Sequence, residues 1–383
     1  MEDKNYRIDL SLISKELKLI LEIIKTKNDD IIGLFKNELF SNIDWDIFLK
    51  LAKHHRIYPF IYGKLKSIND KIIPNYVIQT LYNDYKKNTF QMLQLSGEME
   101  QVSELFTKNQ IRTLFLKGPV IAADIYGDIS LRTSKDLDIL IPITNLEKAE
   151  NLLLSLGYEK KRVPNVLNEW KWRSLHDTYY HSQKQIQIEI HWRLHPSPSK
   201  EPSFDELWER KRVSKITTYP VFFLGEEDLF LFLIAHGARH GWFRLRWLVD
   251  VNQMLNKGVE VEKINIFSKK YKYRHIVGQA LILASQLFDT TINKEFKSLT
   301  RNHSKKLAQK SFFFINQMNE FEYPKDYLFS LKSTSNKFLS LLILIYPTYV
   351  DTEILRLPKR LHFLYFPLRP FLWVWRKTIK KAI

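Results

Sequence analysis

The apolar period of this chain changes at residue 111, and that change limits what the middle of the molecule can become. Before it, apolar residues recur at helical spacing: Leu10, Ile13, Leu17, Ile20, Leu21 and Ile24, then Met92, Leu95, Met99, Val102 and Phe106. Tyr58-Pro59 and Ile73-Pro74 mark turns or helix starts between them. From Ile111 to Leu116 the run is short and apolar, as in a strand. Gly118-Pro119 then turns the chain, and Val120 to Tyr126 reads as a short helix with Pro119 in its first turn. Leu137 to Ile141 reads as the next strand, closed by Pro142. Asn145 is expected to cap a helix that Gly157 ends.

Further on, Leu175 to His181 and Gln185 to Trp192 predict a hairpin joined across Ser182-Gln-Lys184. Its second strand alternates strictly. Gln185, Gln187, Glu189 and His191 face one way, and Ile186, Ile188, Ile190 and Trp192 the other. The proline- and serine-rich stretch 195–202 reads as a loop. Beyond about residue 223 the period is helical again: Gly225 opens one helix, and Leu245 to Leu255 and Ile276 to Phe288 carry others. The expectation is an α+β protein in three parts. Residues 1–110 form an N-terminal helical region, 111–222 an α/β core with a mostly antiparallel or mixed sheet, and 223–383 a C-terminal helical domain.

At 383 residues and 45% hydrophobic, the chain can fill real cores. It has no cysteine, which excludes a disulfide framework and thiolate metal sites. The polar N-terminus lacks the apolar centre of a secretory signal, and no apolar stretch approaches the roughly 18 residues of a membrane span. The expected location is cytoplasmic. A net charge of +17 suits anionic partners, or equally a lysine-rich solvated surface. No acid follows Glu353, while eight Lys and Arg residues do, seven flanking the aromatic run from Leu361 to Trp375 and Arg369 within it. That tail has the composition of a peripheral membrane contact at the inner membrane, with arginines reaching the headgroups, or of a buried helix with a basic outer face.

The chemistry concentrates at Asp136 and Asp138. In a strand, side chains i and i+2 share a face about 6.5–7 Å apart. Two carboxylates so placed can share a pair of divalent ions roughly 3.5–4 Å apart, as two-metal phosphoryl transfer requires. Glu189, on the polar side of its strand, is the candidate third carboxylate, to join the metal or take a proton from an attacking hydroxyl. Lys117 and Gly118 lie before a helix start, where backbone N–H groups can face a phosphate. Pro119 removes one of those donors. Arg132, Ser134 and Lys135 precede the carboxylates in a loop expected beside the phosphates, with Arg132 able to clamp one bidentately. His191 shares the face of Glu189, as a support, a substrate contact or a structural histidine. His236 and His240, spaced i, i+4 on a helix without a zincin glutamate, are expected at the rim of the site. Arg239, Arg244 and Arg246 nearby are candidates to meet the nucleotide or its acceptor, whereas Trp242 and Trp247 suit packing.

Four segments carry a resemblance: Phe115-Leu-Lys-Gly-Pro-Val-Ile-Ala-Ala-Asp-Ile-Tyr126, Leu131-Arg-Thr-Ser-Lys-Asp-Leu-Asp-Ile-Leu-Ile141, Ile188-Glu-Ile-His-Trp-Arg-Leu194, and His236 through Asp250. Over roughly residues 50 to 260 the chain resembles a bacterial family of largely uncharacterised nucleotidyltransferases in the polymerase-beta-like superfamily. The resemblance implies a minimal nucleotidyltransferase mixed sheet with added helices and Mg²⁺- or Mn²⁺-dependent transfer of a nucleoside monophosphate from an NTP, such as ATP. The acceptor is a hydroxyl or phosphate, in the setting of modified-peptide or surface-polysaccharide synthesis. It places the metal on Asp136, Asp138 and Glu189, and the glycine turn at Gly118. The superfamily usually has Gly-Gly or Gly-Ser where this chain has Gly-Pro, so a phosphate-binding serine is missing. That departure supports an alternative: a catalytically degenerate module that binds a nucleotide or peptide. A nucleic-acid partner ranks below both, because no groove-reading helix or RNA-binding signature is present.

Overall fold

A computed structural model of the chain describes residues 8–26, 42–66, 73–161, 174–318 and 325–382. Its centre is a seven-stranded mixed sheet in the order β3-β4-β5-β2-β1-β7-β6. The strands are β1 (Leu114–Phe115), β2 (Asp136–Leu140), β3 (Glu159–Lys160), β4 (His176–His181), β5 (Ile186–His191), β6 (Arg212–Ser214) and β7 (Val221–Phe223). β2 runs parallel to β5 and antiparallel to β1, and β1 runs parallel to β7. β4 and β5 pair antiparallel along their whole length.

The alternation in β5 is confirmed. Ile186, Ile188 and Ile190 are buried on the core side, and Gln187 and Glu189 are half-buried on the other. The connection of the hairpin differs from expectation. His181 pairs with Ile186, so four residues, 182–185, make the turn instead of three, and Gln185 takes a left-handed conformation with φ 53°. A one-residue change of register moves side chains to the opposite face. Here it sets His176 across from His191, where the three-residue turn had placed Leu175.

The expected strand 111–116 pairs over only two residues, although the Leu116 amide still donates to the Asp138 carbonyl at 2.9 Å. β6 and β7 were not expected at all. At three residues each they are too short to show a period, and β7 straddles the boundary drawn at 222.

The helix Asn75–Lys108 has 34 residues and touches the sheet at β2 and β7. Met92, Leu95, Met99, Val102 and Phe106 form its buried stripe. Five such side chains contribute roughly 10 kcal/mol of gross burial, so packing rather than propensity holds this helix. One apolar core runs without interruption from Ile8 to Tyr327, through the N-terminal helices, the sheet and the helices after residue 223. The two helical regions also bond directly: the Ile8 amide donates to Gln286 and the Leu245 amide to His55. A small separate cluster, centred on Tyr365 and Leu372, anchors the C-terminal helix Tyr365–Ala382.

Candidate active site

Parallel pairing of β2 with β5 sets Asp138 beside Glu189 and Asp136 beside Gln187. Antiparallel pairing of β5 with β4 then sets His191 beside His176. Asp136, Asp138, Glu189, His191 and His176 thus lie on one face of three adjacent strands. Neighbouring strands are about 4.8 Å apart, which keeps this row within reach of a common ligand.

Asp138 is fully buried. Its Oδ1 accepts from Lys117 Nζ at 2.9 Å and lies 3.2 Å from His191 Nε2, while Oδ2 is buried without a hydrogen-bond partner among the described residues. Burial raises the Asp138 pKa, but Lys117 and the His191 hydrogen bond outweigh it and hold the carboxyl below its ordinary range. Asp136 is pushed up instead, first by burial and then by the charge of Asp138. Two carboxylates on one strand therefore titrate apart.

Glu189 accepts from Gln187 Nε2 at 3.0 Å, and its Oε2 lies 3.4 Å from His191 Nε2 and 3.6 Å from His176 Nε2. Burial raises its pKa, yet the histidines bring it below the usual value despite repulsion from Asp138. His191 is raised: burial opposes its charge, but its bonds to Asp138 and Glu189 prevail. His176 is lowered by burial and by His191.

Gly118 has φ 94° and ψ −151°, a region open essentially to glycine alone. Its conformation lets the chain turn from β1 into the helix Pro119–Tyr126 while Lys117 stays over Asp138.

The loop before β2 is held on several sides. Asn88 Nδ2 donates to the carbonyls of Ser130 and Arg132 at 2.8 and 3.3 Å, and the Ser134 hydroxyl donates to the Asp136 carbonyl at 3.1 Å. Arg132 corrects an expectation. Its guanidinium is buried and forks onto Asp250, Nε to Oδ1 at 2.9 Å and Nη2 to Oδ2 at 3.0 Å, with Tyr126 donating to the same carboxylate. It is committed to the interior and is not placed to clamp a phosphate. Ser134 likewise braces the backbone, and Lys135 alone of the three is exposed.

From the helix Glu226–Arg239, Arg239 is half-buried and within electrostatic reach of Asp138 and Glu189, while burial lowers its pKa. Its Nη2 lies 3.3 Å from His236 Nδ1. His236 and His240 form an aromatic nest with Trp247, the His240 ring stacking on the indole at 5.1 Å. Burial lowers the pKa of both, that of His240 to about 3. Arg246 is buried, donates to Thr133 Oγ1 at 3.0 Å, and is brought down to about 9, chiefly by burial. Trp242 is fully buried, and its ring occupies the space where a Cβ on Gly237 would stand, 2.4 Å away.

A family model described as "uncharacterised nucleotidyltransferase" matches residues 41–289. The chain belongs to this family of nucleotidyltransferases. A search of curated proteins found no match. Among solved structures, the antibiotic-resistance factor ANT(2'')-Ia is similar over 50% of this chain and 95% of its own, at 10% identity and a TM-score of 0.34, a likeness too distant to carry an argument. The family match spans the row of carboxylates, the glycine turn and the helices bearing Arg239 and Asp250.

His176 was not anticipated as a site residue. Its signal lay in the hairpin, but only the true register puts it on the face that carries the carboxylates.

Proposed function

We propose that this nucleotidyltransferase moves a nucleoside monophosphate from an NTP to a hydroxyl or phosphate acceptor, with Asp136, Asp138 and Glu189 at the reacting centre. The observation that carries the reading is the row of three carboxylates on one sheet face beside Lys117, within a matched family of nucleotidyltransferases. The donor set suits a hard divalent cation such as Mg²⁺ or Mn²⁺, which prefers carboxylate oxygens. The orphaned Oδ2 of Asp138 supports that fit. When bound, the cation supplies charge neutralisation for the phosphates and for the attacking oxygen.

The protein's own residues do the rest. Glu189, kept ionised by its histidine neighbours, accepts the proton of the acceptor hydroxyl. The acceptor oxygen bonds to the α-phosphorus as the bond to the bridging α–β oxygen breaks, and pyrophosphate leaves. Lys117, at the glycine turn, and Arg239, from the opposite helix, supply positive charge to the phosphates in a half-buried setting where it is little screened. Lys135, exposed beside β2, offers a further charge at the entrance.

The partners in this reading are an NTP and an acceptor on a peptide or sugar. The tail adds a membrane contact: Phe371, Trp373 and Trp375 are exposed on the last helix, in a segment with no acid. Among the described residues no helix is long and apolar enough to cross a membrane.

The deciding experiment is calorimetric titration with each of the four NTPs, with and without Mg²⁺, for the wild type and Asp136→Asn/Asp138→Asn. Metal-dependent binding of an NTP, lost in the folded double variant, is expected. Equal binding by both proteins would overturn the assignment of the carboxylates.

A further inference from the structure

Two donor atoms at this centre, both imidazole nitrogens, are not the oxygens that a Mg²⁺ site uses. His176 Nε2 and His191 Nε2 lie 3.6 and 3.4 Å from Glu189 Oε2, and all three atoms fall within 4.8 Å of one another. Asp138 Oδ1 lies 3.2 Å from His191 Nε2. Charge-assisted hydrogen bonds close to about 2.7–2.9 Å, so the two histidine–glutamate contacts are longer than such bonds at their strongest. They match another geometry. Ligands held about 2.1 Å from a tetrahedral ion are separated by about 3.4 Å along each edge.

We infer that His176, Glu189 and His191, with Asp138 Oδ1 beside them, form a site for a first-row transition dication of the Zn²⁺ or Co²⁺ class. Imidazole nitrogens favour these ions over Mg²⁺, which demands oxygen and retains its water. The frame is rigid. β4 and β5 are paired over six residues each, with His176 directly opposite His191 and Thr178 opposite Glu189. Asp136, Asp138 and Glu189 face Lys117, Arg239 and Arg246, so the carboxylates are balanced before an ion enters. Among the described residues neither histidine Nδ1 has a partner to fix its ring. Affinity should therefore fall about 10–100-fold below that of sites which provide such partners.

This deepens the nucleotidyl-transfer reading by naming the ion held at Glu189. It rests on that reading only for what the ion does there, since the site itself is read from its own distances.

The test uses Co²⁺ titrated into the full chain and followed by visible absorption, which distinguishes low-coordinate nitrogen ligation from the hydrated ion. The wild type is expected to bind one equivalent with an intense visible band that excess Mg²⁺ does not remove. His176→Ala should weaken binding at least tenfold, and Asp136→Asn should leave the band in place. His176→Gln, which keeps side-chain size, serves as the second variant, with circular dichroism confirming the fold of each. A band that is absent from the wild type, indifferent to both His176 variants, or erased by Mg²⁺ would overturn the site. Co²⁺ binding as expected in a protein that binds no NTP would leave this site standing and defeat the transfer reading. Mg²⁺-dependent NTP binding without the Co²⁺ band would do the reverse.

Discussion

Lys117 Nζ and Asp138 Oδ1 meet at 2.9 Å, an ion pair between the glycine turn and the central strand in which the carboxylate is fully buried. The pair depresses the Asp138 pKa below its ordinary 3.8. A depressed carboxylate contributes stability that is present above the unfolded value and lost as pH falls through the folded one. Lys117→Met should therefore remove a stabilising contribution seen above about pH 4, and flatten the acid limb of a denaturation profile. It should also lower turnover by about 100-fold, the typical cost of one charge-stabilising donor. Acid-denaturation curves and steady-state rates of the two proteins check both. Unchanged turnover would remove Lys117 from the phosphate-binding role.

Arg132 and Asp250 are both fully buried, and removing one leaves the other uncompensated. Arg132→Met is expected to cost about 3–5 kcal/mol of folding stability. The folded fraction should still bind NTP normally, because the guanidinium faces inward. Urea denaturation and calorimetry on one preparation separate the effects. Lost NTP affinity with intact stability would restore the clamp that the sequence suggested.

Gly118→Ala tests backbone strain, not space. A Cβ there meets Leu137 Cδ2 at 3.4 Å, an ordinary contact, but the φ of +94° does not suit alanine. The expected loss is about 1–3 kcal/mol. Relief of that strain would swing Lys117 away from Asp138, so catalysis should fall further than stability. Equal, small losses in both would show the turn to be merely structural.

Glu201 accepts from the Leu194 and His195 amides at 3.2 and 2.9 Å, and burial pushes its pKa up from 4.5 to about 7. A group raised in the folded state contributes stability that is full below the unfolded pKa and lost as pH rises through the folded one. The melting temperature of the wild type relative to Glu201→Gln should thus fall between about pH 4.5 and 7. A difference that stays flat over this range would contradict the raised pKa.

The exposed aromatics of the last helix predict binding to anionic vesicles. Phe371→Ser with Trp375→Ser should weaken sedimentation with phosphatidylserine-containing vesicles by at least tenfold. Equal sedimentation by the variant would assign the tail to a different contact.

What could be read from the chain itself follows from period. The 3.6-residue stripe in 92–106, the strict alternation in 186–191 and the Gly-Pro step before a short helix are local patterns, and each appears where expected. Asp136, Asp138 and Glu189 were legible because one strand period puts the aspartates on a single face, and the next puts the glutamate on the polar side of its own strand. Arg132 was misjudged for an equally physical reason. A loop position beside two aspartates looks like a phosphate contact, and nothing nearby in sequence names Asp250, 118 positions away, as its partner. β6 and β7 were missed because three residues hold no period.

The sequence by itself determined the kinds of the longer elements and the strand face on which the carboxylates proposed for phosphoryl chemistry stand, since these depend only on local backbone geometry. The tertiary structure alone decided which strands become neighbours and in what register. Parallel pairing of β2 with β5 joins Asp138 to Glu189, and a four-residue turn in place of three carries His176 to His191. Register is a long-range choice, set by how the buried isoleucines pack against the core, and a one-residue difference in it decides which side chains meet.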